Sequence, residues 1–171
     1  MQTPRPSPTE IAATITQLFE SLPDRLGNKN SEGEWTKQVK EDIGSLGEKL
    51  DWNVCTSGVP ERFDPEWLYD LIWFHNEPDI SFHLAEVYLV MESEWKVAPY
   101  EIKHDFEKLL LAKASLKIMV FRANEHKIKE IFNLLESGIR AFQTKTPGEI
   151  YILAGYNDIY GEFDVRQIPV T

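Results

Sequence analysis

The stretch that most constrains this chain is LAEVYLVMESEWK, which runs from Leu84 to Lys96. Its apolar, β-branched and aromatic side chains predict a buried strand. Side chains alternate along a strand, so Glu92 and Glu94 share one face, about 6.6 Å apart along the backbone, and Ser93 lies on the other. Two acids at the end of an apolar strand repel each other, and a divalent cation between them would relieve that repulsion. The alternative is a strand end that is exposed to solvent.

The rest of the chain alternates between helical and strand patterns. Apolar residues at helical spacing predict four helices, and runs of alternating or β-rich residues predict six strands. Three consecutive strands followed by alternating helices and strands predict a three-layer α/β fold, with a central mixed β-sheet flanked by helices on both faces. The predicted helices cover about 9–22, 34–50, 100–115 and 125–142, and the predicted strands about 51–57, 67–74, 84–96, 117–122, 149–154 and 163–170.

Length and composition bound the class of protein. A chain of 171 residues predicts a single domain, here residues 9–171, and three prolines in the first eight residues predict a disordered tail over 1–8. The single cysteine, Cys55, excludes an internal disulfide and a cysteine-based zinc cluster. The sequence has no apolar run long enough for a membrane span and no apolar signal segment. We therefore expect a cytoplasmic protein without membrane contact.

The charge of the chain is acidic and unevenly spread. The net charge of −10 argues against tight non-specific binding to DNA, because a phosphate backbone attracts Lys and Arg. Residues 51–102 contain eleven acidic and two basic residues, for a net charge of −9, whereas residues 103–171 carry a net charge of +1. The acidity around the strand at 84–96 indicates an acidic partner surface, a metal site, or both.

An upstream aspartate completes a recognisable pattern. Asp70 lies in the predicted second strand, in WLYDLIWF, and Glu92 follows 22 residues later at the end of the third. Together with the order helix, three strands, helix and strand, this pattern resembles the restriction-endonuclease-like superfamily, whose motif is written PD-(D/E)xK. The resemblance covers about residues 34–154. It implies that Asp70 and Glu92 bind Mg²⁺ or Mn²⁺, which polarises a scissile phosphate while the third motif residue assists the attacking water.

Two positions depart from the motif of this family. Tyr69 stands where the family often has Pro, and Glu94 stands where it usually has Lys. Some members carry ExE, so the resemblance implies that Glu94 is a third metal ligand or orients the water. Other members place the Lys on the following helix, which here implies Lys108, with Lys103 and Lys96 as further candidates for stabilising the charge on the phosphate.

Some family members also place an acid of the first core helix near the metal. The candidates here are Glu34, Glu41 and Glu48, which are seven residues apart and therefore lie along one stripe of the predicted helix. The alternative for each of them is a solvated helix face.

These residues predict a divalent-metal-dependent, nuclease-like protein that hydrolyses phosphodiester bonds through Asp70, Glu92, Glu94 and Lys108. We expect the three carboxylates to converge in the folded chain. The alternative is a catalytically degenerate member of the fold that serves as an acidic protein-interaction or immunity-type module, which the missing motif Lys and the acidity of residues 51–102 favour. The first function requires a nucleic acid such as DNA, and a chain this acidic would need a homodimer or a basic partner to hold a duplex. The second requires a basic protein partner.

Overall fold

A computed structural model of the chain describes residues 6–27, 31–59, 67–77 and 83–171. The helices and strands of this part follow the predicted order, which is therefore confirmed. The helices are α1 (Pro8–Leu26), α2 (Glu32–Lys49), α3 (Pro99–Leu111) and α4 (Glu125–Ala141), and the strands are β1 (Asn53–Thr56), β2 (Leu71–Asn76), β3 (Leu84–Glu94), β4 (Leu116–Ala123), β5 (Ile150–Asn157) and β6 (Glu162–Pro169).

The predicted N-terminal tail overlaps the start of α1. Ser7 caps this helix by accepting a hydrogen bond from the backbone N–H of Glu10, and Pro8 is its first residue. Proline is favoured there because the first backbone N–H groups of a helix have no partner within it. Residues 1–5 of the predicted tail lie outside the described residues.

The six strands form one mixed sheet in chain order. The pairs β1–β2 and β2–β3 are antiparallel, the pairs β3–β4 and β4–β5 are parallel, and β6 is antiparallel to β5. One apolar cluster joins the sheet to α1 and α2, and a second joins its other face to α3 and α4. The predicted α/β class, with helices on both faces of a mixed sheet, is confirmed.

Successive side chains of β3 point to opposite faces of the sheet, and this decides which helical layer each of them contacts. Leu89 and Met91 belong to the cluster with α1 and α2, and Val90 belongs to the cluster with α3 and α4. Continuing that alternation places Ser93 toward α2 and Glu92 toward α3. The end of β3 therefore presents polar groups to both helical layers.

A glycine allows α2 to lie close against the sheet. A Cβ at Gly47 would come within 2.6 Å of the indole of Trp73 on β2, so a larger residue there would push the helix away. Lys40 precedes Gly47 by seven residues, about two helical turns, and so lies on the same stripe of α2. The close approach at Gly47 thereby positions Lys40 beside the residues that precede β2.

On the other face, α3 packs through Ile102, Phe106 and Leu109. It ends at Leu111, earlier than predicted, because the backbone of Ala112 is extended. Lys108 borders the buried stripe and lies beside the end of β3. Within the described ranges, the helices lack the combination of length and apolar character that crossing a bilayer would require.

Candidate active site

Asp70 lies directly before β2 rather than within it, and its carboxylate is bound at both oxygens. Oδ2 accepts hydrogen bonds from the backbone N–H of Ser93, at 2.7 Å, and from the Ser93 hydroxyl, at 2.6 Å. Oδ1 lies 3.3 Å from the ammonium of Lys40 on α2. Asp70 therefore connects the start of β2 to the end of β3 and to α2.

The turn that leads into Asp70 is strained. Leu68 has a φ of 67°, which is uncommon for a residue with a side chain, and the N–H of Tyr69 donates to the carbonyl of Trp67 at 2.9 Å. The side chain of Tyr69 is half-buried against the apolar cluster of α3 and α4. Burial raises the pKa of Tyr69, the charge of Glu92 raises it further, and the charge of Lys108 opposes the change. Tyr69 thus belongs to the surroundings of Glu92.

Glu92 is a buried carboxylate, with only 4% of its surface exposed. Its Oε2 lies 2.8 Å from the ammonium of Lys108, which also contacts Asp105 at 3.1 Å. Its Oε1 is buried and has no hydrogen-bond partner among the described residues. Burial raises the pKa of Glu92 to about 7, the hydrogen bond from Lys108 opposes that rise, and the charge of Asp70 adds to it. Buried polar atoms without a partner are rare, and catalytic roles and bound ions are among their explanations.

Glu94, the residue in place of the motif Lys, lies on the rim of an open cleft. Its Oε1 accepts a hydrogen bond from the backbone N–H of Lys96, at 2.8 Å. The cleft has a volume of about 530 Å³ and follows the exposed side of α3, where Tyr100 and His104 also line it. Glu94 therefore faces a surface that a large substrate can reach.

The three candidate lysines have different partners. Lys108 contacts the buried carboxylate of Glu92. Lys96 and Lys103 instead form ion pairs with acidic residues of α3, at 3.3 Å and 2.6 Å. Lys108 is thus the candidate whose ammonium reaches a predicted site carboxylate.

The three predicted carboxylates do not form one compact cluster, so the expectation that they converge is wrong for this structure. Within the part of the chain that the structure describes, no group of three or more His, Cys, Asp or Glu side chains has an arrangement suited to a metal ion. Asp70 is directed to Ser93 and Lys40, whereas Glu92 is directed to Lys108 on the other helical layer. The charge of Asp70 nevertheless contributes to the raised pKa of Glu92, so the two acids are electrostatic neighbours.

The acidic stripe of α2 has other roles. Glu34 accepts hydrogen bonds from the backbone and hydroxyl of Ser31 and so caps the helix. Glu41 forms an ion pair with Lys37 at 3.6 Å, and Glu48 is exposed.

Lys40 is the α2 residue that contacts Asp70, and sequence reasoning missed it. Its position two turns before Gly47, on the stripe that packs against the sheet, is the signal that could have revealed it. Ser93 was placed on the correct face of β3, but its hydrogen bonds to Asp70 were not foreseen.

No protein-family model matches the sequence, and no curated protein shows significant similarity to it. The case for a function therefore depends on the geometry of the residues around Asp70 and Glu92.

Proposed function

We propose that this protein is a divalent-cation-dependent phosphodiester hydrolase of the nuclease-like type, with its site at the end of β3. The observation that carries the proposal is the buried Oε1 of Glu92, which has no hydrogen-bond partner among the described residues and belongs to a carboxyl whose pKa is raised by burial and by the charge of Asp70. A cation bound there would compensate both the buried charge and the repulsion between the two acids.

The donor set suits a hard cation. Carboxylate oxygens are the ligands that Mg²⁺ and Mn²⁺ prefer, and Mg²⁺ is commonly held by one or two carboxylates, with water and substrate phosphate completing its shell. Glu92 would hold the ion through Oε1, and the charge of Asp70 would add to the attraction for a cation, so a compact group of three acids is not required. When bound, the ion would polarise the scissile phosphate and favour deprotonation of a water molecule.

The remaining residues would act directly on the substrate or on the attacking water. Lys108 is 41% exposed, so its ammonium can approach a phosphate oxygen while it keeps its contact with Glu92. A cation in that position stabilises the negative charge that develops on the phosphate during hydrolysis. Glu94, at the rim of the cleft, would orient the water or complete the set of ligands. The order helix, three strands, helix and strand, on which the family resemblance depends, also supports the proposal.

The test is a Mn²⁺ titration of the melting temperature, with hydrolysis of single-stranded DNA, double-stranded DNA and RNA followed in parallel. A ligand that binds only the folded state at 100 times its dissociation constant stabilises by about 2.7 kcal/mol, or roughly 5–10 °C for a chain of this size. We expect this shift in the wild type and its loss in Asp70→Asn and Glu92→Gln. The matched control is Glu130→Gln, which removes the same charge from an exposed position on α4 and should leave the shift unchanged. The proposal fails if the wild type shows no shift, or if the shift persists in both site variants.

One observation favours a second function, that of an acidic module that binds another protein: Asp70 and Glu92 each already have a lysine partner. Lys40 pairs with Asp70 and Lys108 pairs with Glu92, so ammonium groups compensate part of the charge that a metal would compensate. This arrangement suits a degenerate member of the fold whose acidic surface binds a basic protein. Such a protein would show no Mn²⁺ shift and would bind a lysine-rich peptide with an affinity that falls as salt rises.

A further inference from the structure

The last strand of the sheet, β6, has one edge that faces no neighbouring strand among the described residues. This strand is eight residues long, whereas β1, at the other end of the sheet, has only four. An unpaired edge presents a row of backbone N–H and C=O groups that can pair with another chain. Proteins often protect such edges with short strands or with lysines, and β6, EFDVRQIP, is long and contains no lysine. Its edge is therefore a surface on which another strand can pair.

A backbone hydrogen bond just after β6 shows which of its residues face the open edge. The N–H of Val170 donates to the carbonyl of Glu149 at 2.8 Å, so the backbone of Val170 is directed toward β5. The register between β5 and β6 is continuous, and successive residues of a strand direct their backbone groups to alternate sides. Phe163, Val165 and Gln167 therefore direct their N–H and C=O groups to the open edge.

Pro169 agrees with this assignment. It lies an even number of residues after Val165, so its nitrogen also faces the open edge. Proline has no N–H to donate, and within sheets it is found at positions where the nitrogen faces away from the partner strand. The segment of β6 that can donate to a further strand is therefore the one that precedes Pro169.

Two opposite charges border the open edge on the α4 face of the sheet. Arg166 contacts Glu136 of α4 at 2.7 Å and is 33% exposed, and Asp164, two residues earlier on the same face, is exposed. α4 packs against β4 and β5 rather than over the edge of the sheet. Both charged side chains can therefore contact a strand that pairs with β6.

These charges select one register for a second copy of the chain. When two β6 strands pair antiparallel about Val165, Asp164 of each copy lies opposite Arg166 of the other. Val165 then lies opposite Val165, and Phe163 opposite Gln167, so the outward-facing backbone groups meet each other. Moving the centre by one residue would place Asp164 opposite Asp164, or Arg166 opposite Arg166. Opposite charges stabilise a cross-strand pair and like charges destabilise it, so the register about Val165 is favoured.

We propose that this protein forms a symmetric dimer in which the β6 strands of two copies pair antiparallel about Val165 and join the two sheets into one. The interface is isologous, so each contact occurs twice about the twofold axis. In the sheet, β6 is separated from β3 by β4 and β5, so the interface leaves the surroundings of Glu92 open. The dimer does not depend on the function proposed above.

The first test exchanges charges at the pair of Asp164 and Arg166 and follows the dimer by analytical ultracentrifugation. The wild type should dimerise as its concentration rises. Asp164→Arg sets like charges opposite each other at both copies of the pair and should raise the dissociation constant of the dimer about 10- to 100-fold. Arg166→Asp should have a similar effect. The control is Glu130→Arg, a charge reversal at an exposed position of α4, which should leave the dissociation constant unchanged.

A mixture of the two strand variants tests the register itself. One variant then carries only arginines at positions 164 and 166 and the other only aspartates, so each charge faces its opposite in a heterodimer. We expect an equimolar mixture of Asp164→Arg and Arg166→Asp to dimerise about as tightly as the wild type. A mixture of two folded variants that stays monomeric would overturn the pairing about Val165.

A backbone test uses Gln167→Pro, which removes an N–H from the open edge and leaves the hydrogen bonds to β5 in place. It should raise the dissociation constant about 5- to 100-fold, and it decides the matter if Arg166→Asp does not fold. In the wild type, the amide protons of Phe163, Val165 and Gln167 should exchange more slowly as the protein concentration rises. A wild type that is monomeric at every concentration, or a dimer that persists in both Asp164→Arg and Gln167→Pro, would overturn the proposal.

Discussion

Two buried acid–lysine pairs in this protein differ in how completely they are satisfied. At the amino ends of β4 and β5, Lys117 donates to Glu149 at 2.8 Å and to the Tyr151 hydroxyl at 3.1 Å, and 1% and 8% of the two charged side chains are exposed. At the carboxyl end of β3, Glu92 pairs with Lys108, but the lysine is 41% exposed and Oε1 of Glu92 has no hydrogen-bond partner among the described residues.

The difference separates a structural pair from a candidate functional one. Burial lowers the pKa of Lys117 and Glu149 opposes that change, so each of the two groups offsets the cost of burying the other. Burial and the charge of Asp70 both raise the pKa of Glu92. The ammonium of Lys108 opposes this change and offsets only part of the cost of burying the Glu92 carboxylate. Ionisable groups with strongly perturbed pKa values are common at functional sites, where residues are often not optimal for stability. The predictions below test whether the two pairs differ in this way.

The largest effect on the free energy of unfolding is expected at the pair of Lys117 and Glu149. Glu149→Gln leaves the Lys117 ammonium buried with no anionic partner, and breaking a buried pair from one side typically costs about 3–5 kcal/mol. Urea unfolding should therefore show a loss of this size in the free energy of unfolding. The control is the double replacement of Lys117 by Met and Glu149 by Leu, which removes both charges and should restore most of the loss. A loss below about 1 kcal/mol in Glu149→Gln would mean that this pair is solvated.

The second effect is a pH dependence specific to Glu92. Its pKa is about 7 in the folded chain against an ordinary value of 4.5, so between these values the folded state binds more protons than the unfolded state. Stability contributed by Glu92 therefore falls as pH rises from about 4.5 to 7, by about 3 kcal/mol in total without metal. Glu92→Gln cannot lose a proton and should gain stability relative to the wild type by about this amount between pH 5 and pH 8. Parallel stability curves for the two proteins would show that Glu92 is solvated or fully compensated.

The smallest effect is expected at Lys108. Replacing it by Met at pH 8 leaves Glu92 buried without its ammonium, but partial exposure of the lysine limits the loss in the free energy of unfolding to about 1 kcal/mol. Lys103→Met is the matched control, because that lysine belongs to the same helix and pairs with Glu107 across an exposed helical turn. Exposed pairs of this kind contribute about 0.3–0.5 kcal/mol. Equal losses in the two variants would place Lys108 among ordinary surface lysines.

Much of the fold could be predicted because its signals are local. The period of the apolar residues distinguished helices from strands, and the order of elements was sufficient to predict a mixed sheet covered on both faces. Boundaries were less accurate. The predicted second strand began at Trp67, but residues 67–70 form a turn and bridge before β2, because Leu68 adopts a left-handed backbone conformation that no side-chain pattern indicates.

The candidate site could be predicted in part. Asp70, Glu92 and Lys108 were all predicted as site residues through the family resemblance. The structure places Lys108 in contact with Glu92, but it directs Asp70 to Ser93 and Lys40. For the acids of α2 the sequence left a solvated helix face as the alternative, and the structure gives Glu34 a capping role and Glu41 an ion pair with Lys37.

The sequence by itself determined the alternation of β3, and with it the placement of Ser93 and Glu92 on opposite faces, because the period of a strand is set by its backbone. Only the tertiary structure decided which lysine side chains lie against the two faces of β3. Lys40 reaches Asp70 across 30 residues of chain, through the close packing of α2 at Gly47, and Lys108 reaches Glu92 through the packing of α3. Contacts of this kind depend on how layers are placed in space. A lysine that its residue type alone would assign to solvent is therefore found buried beside an acid.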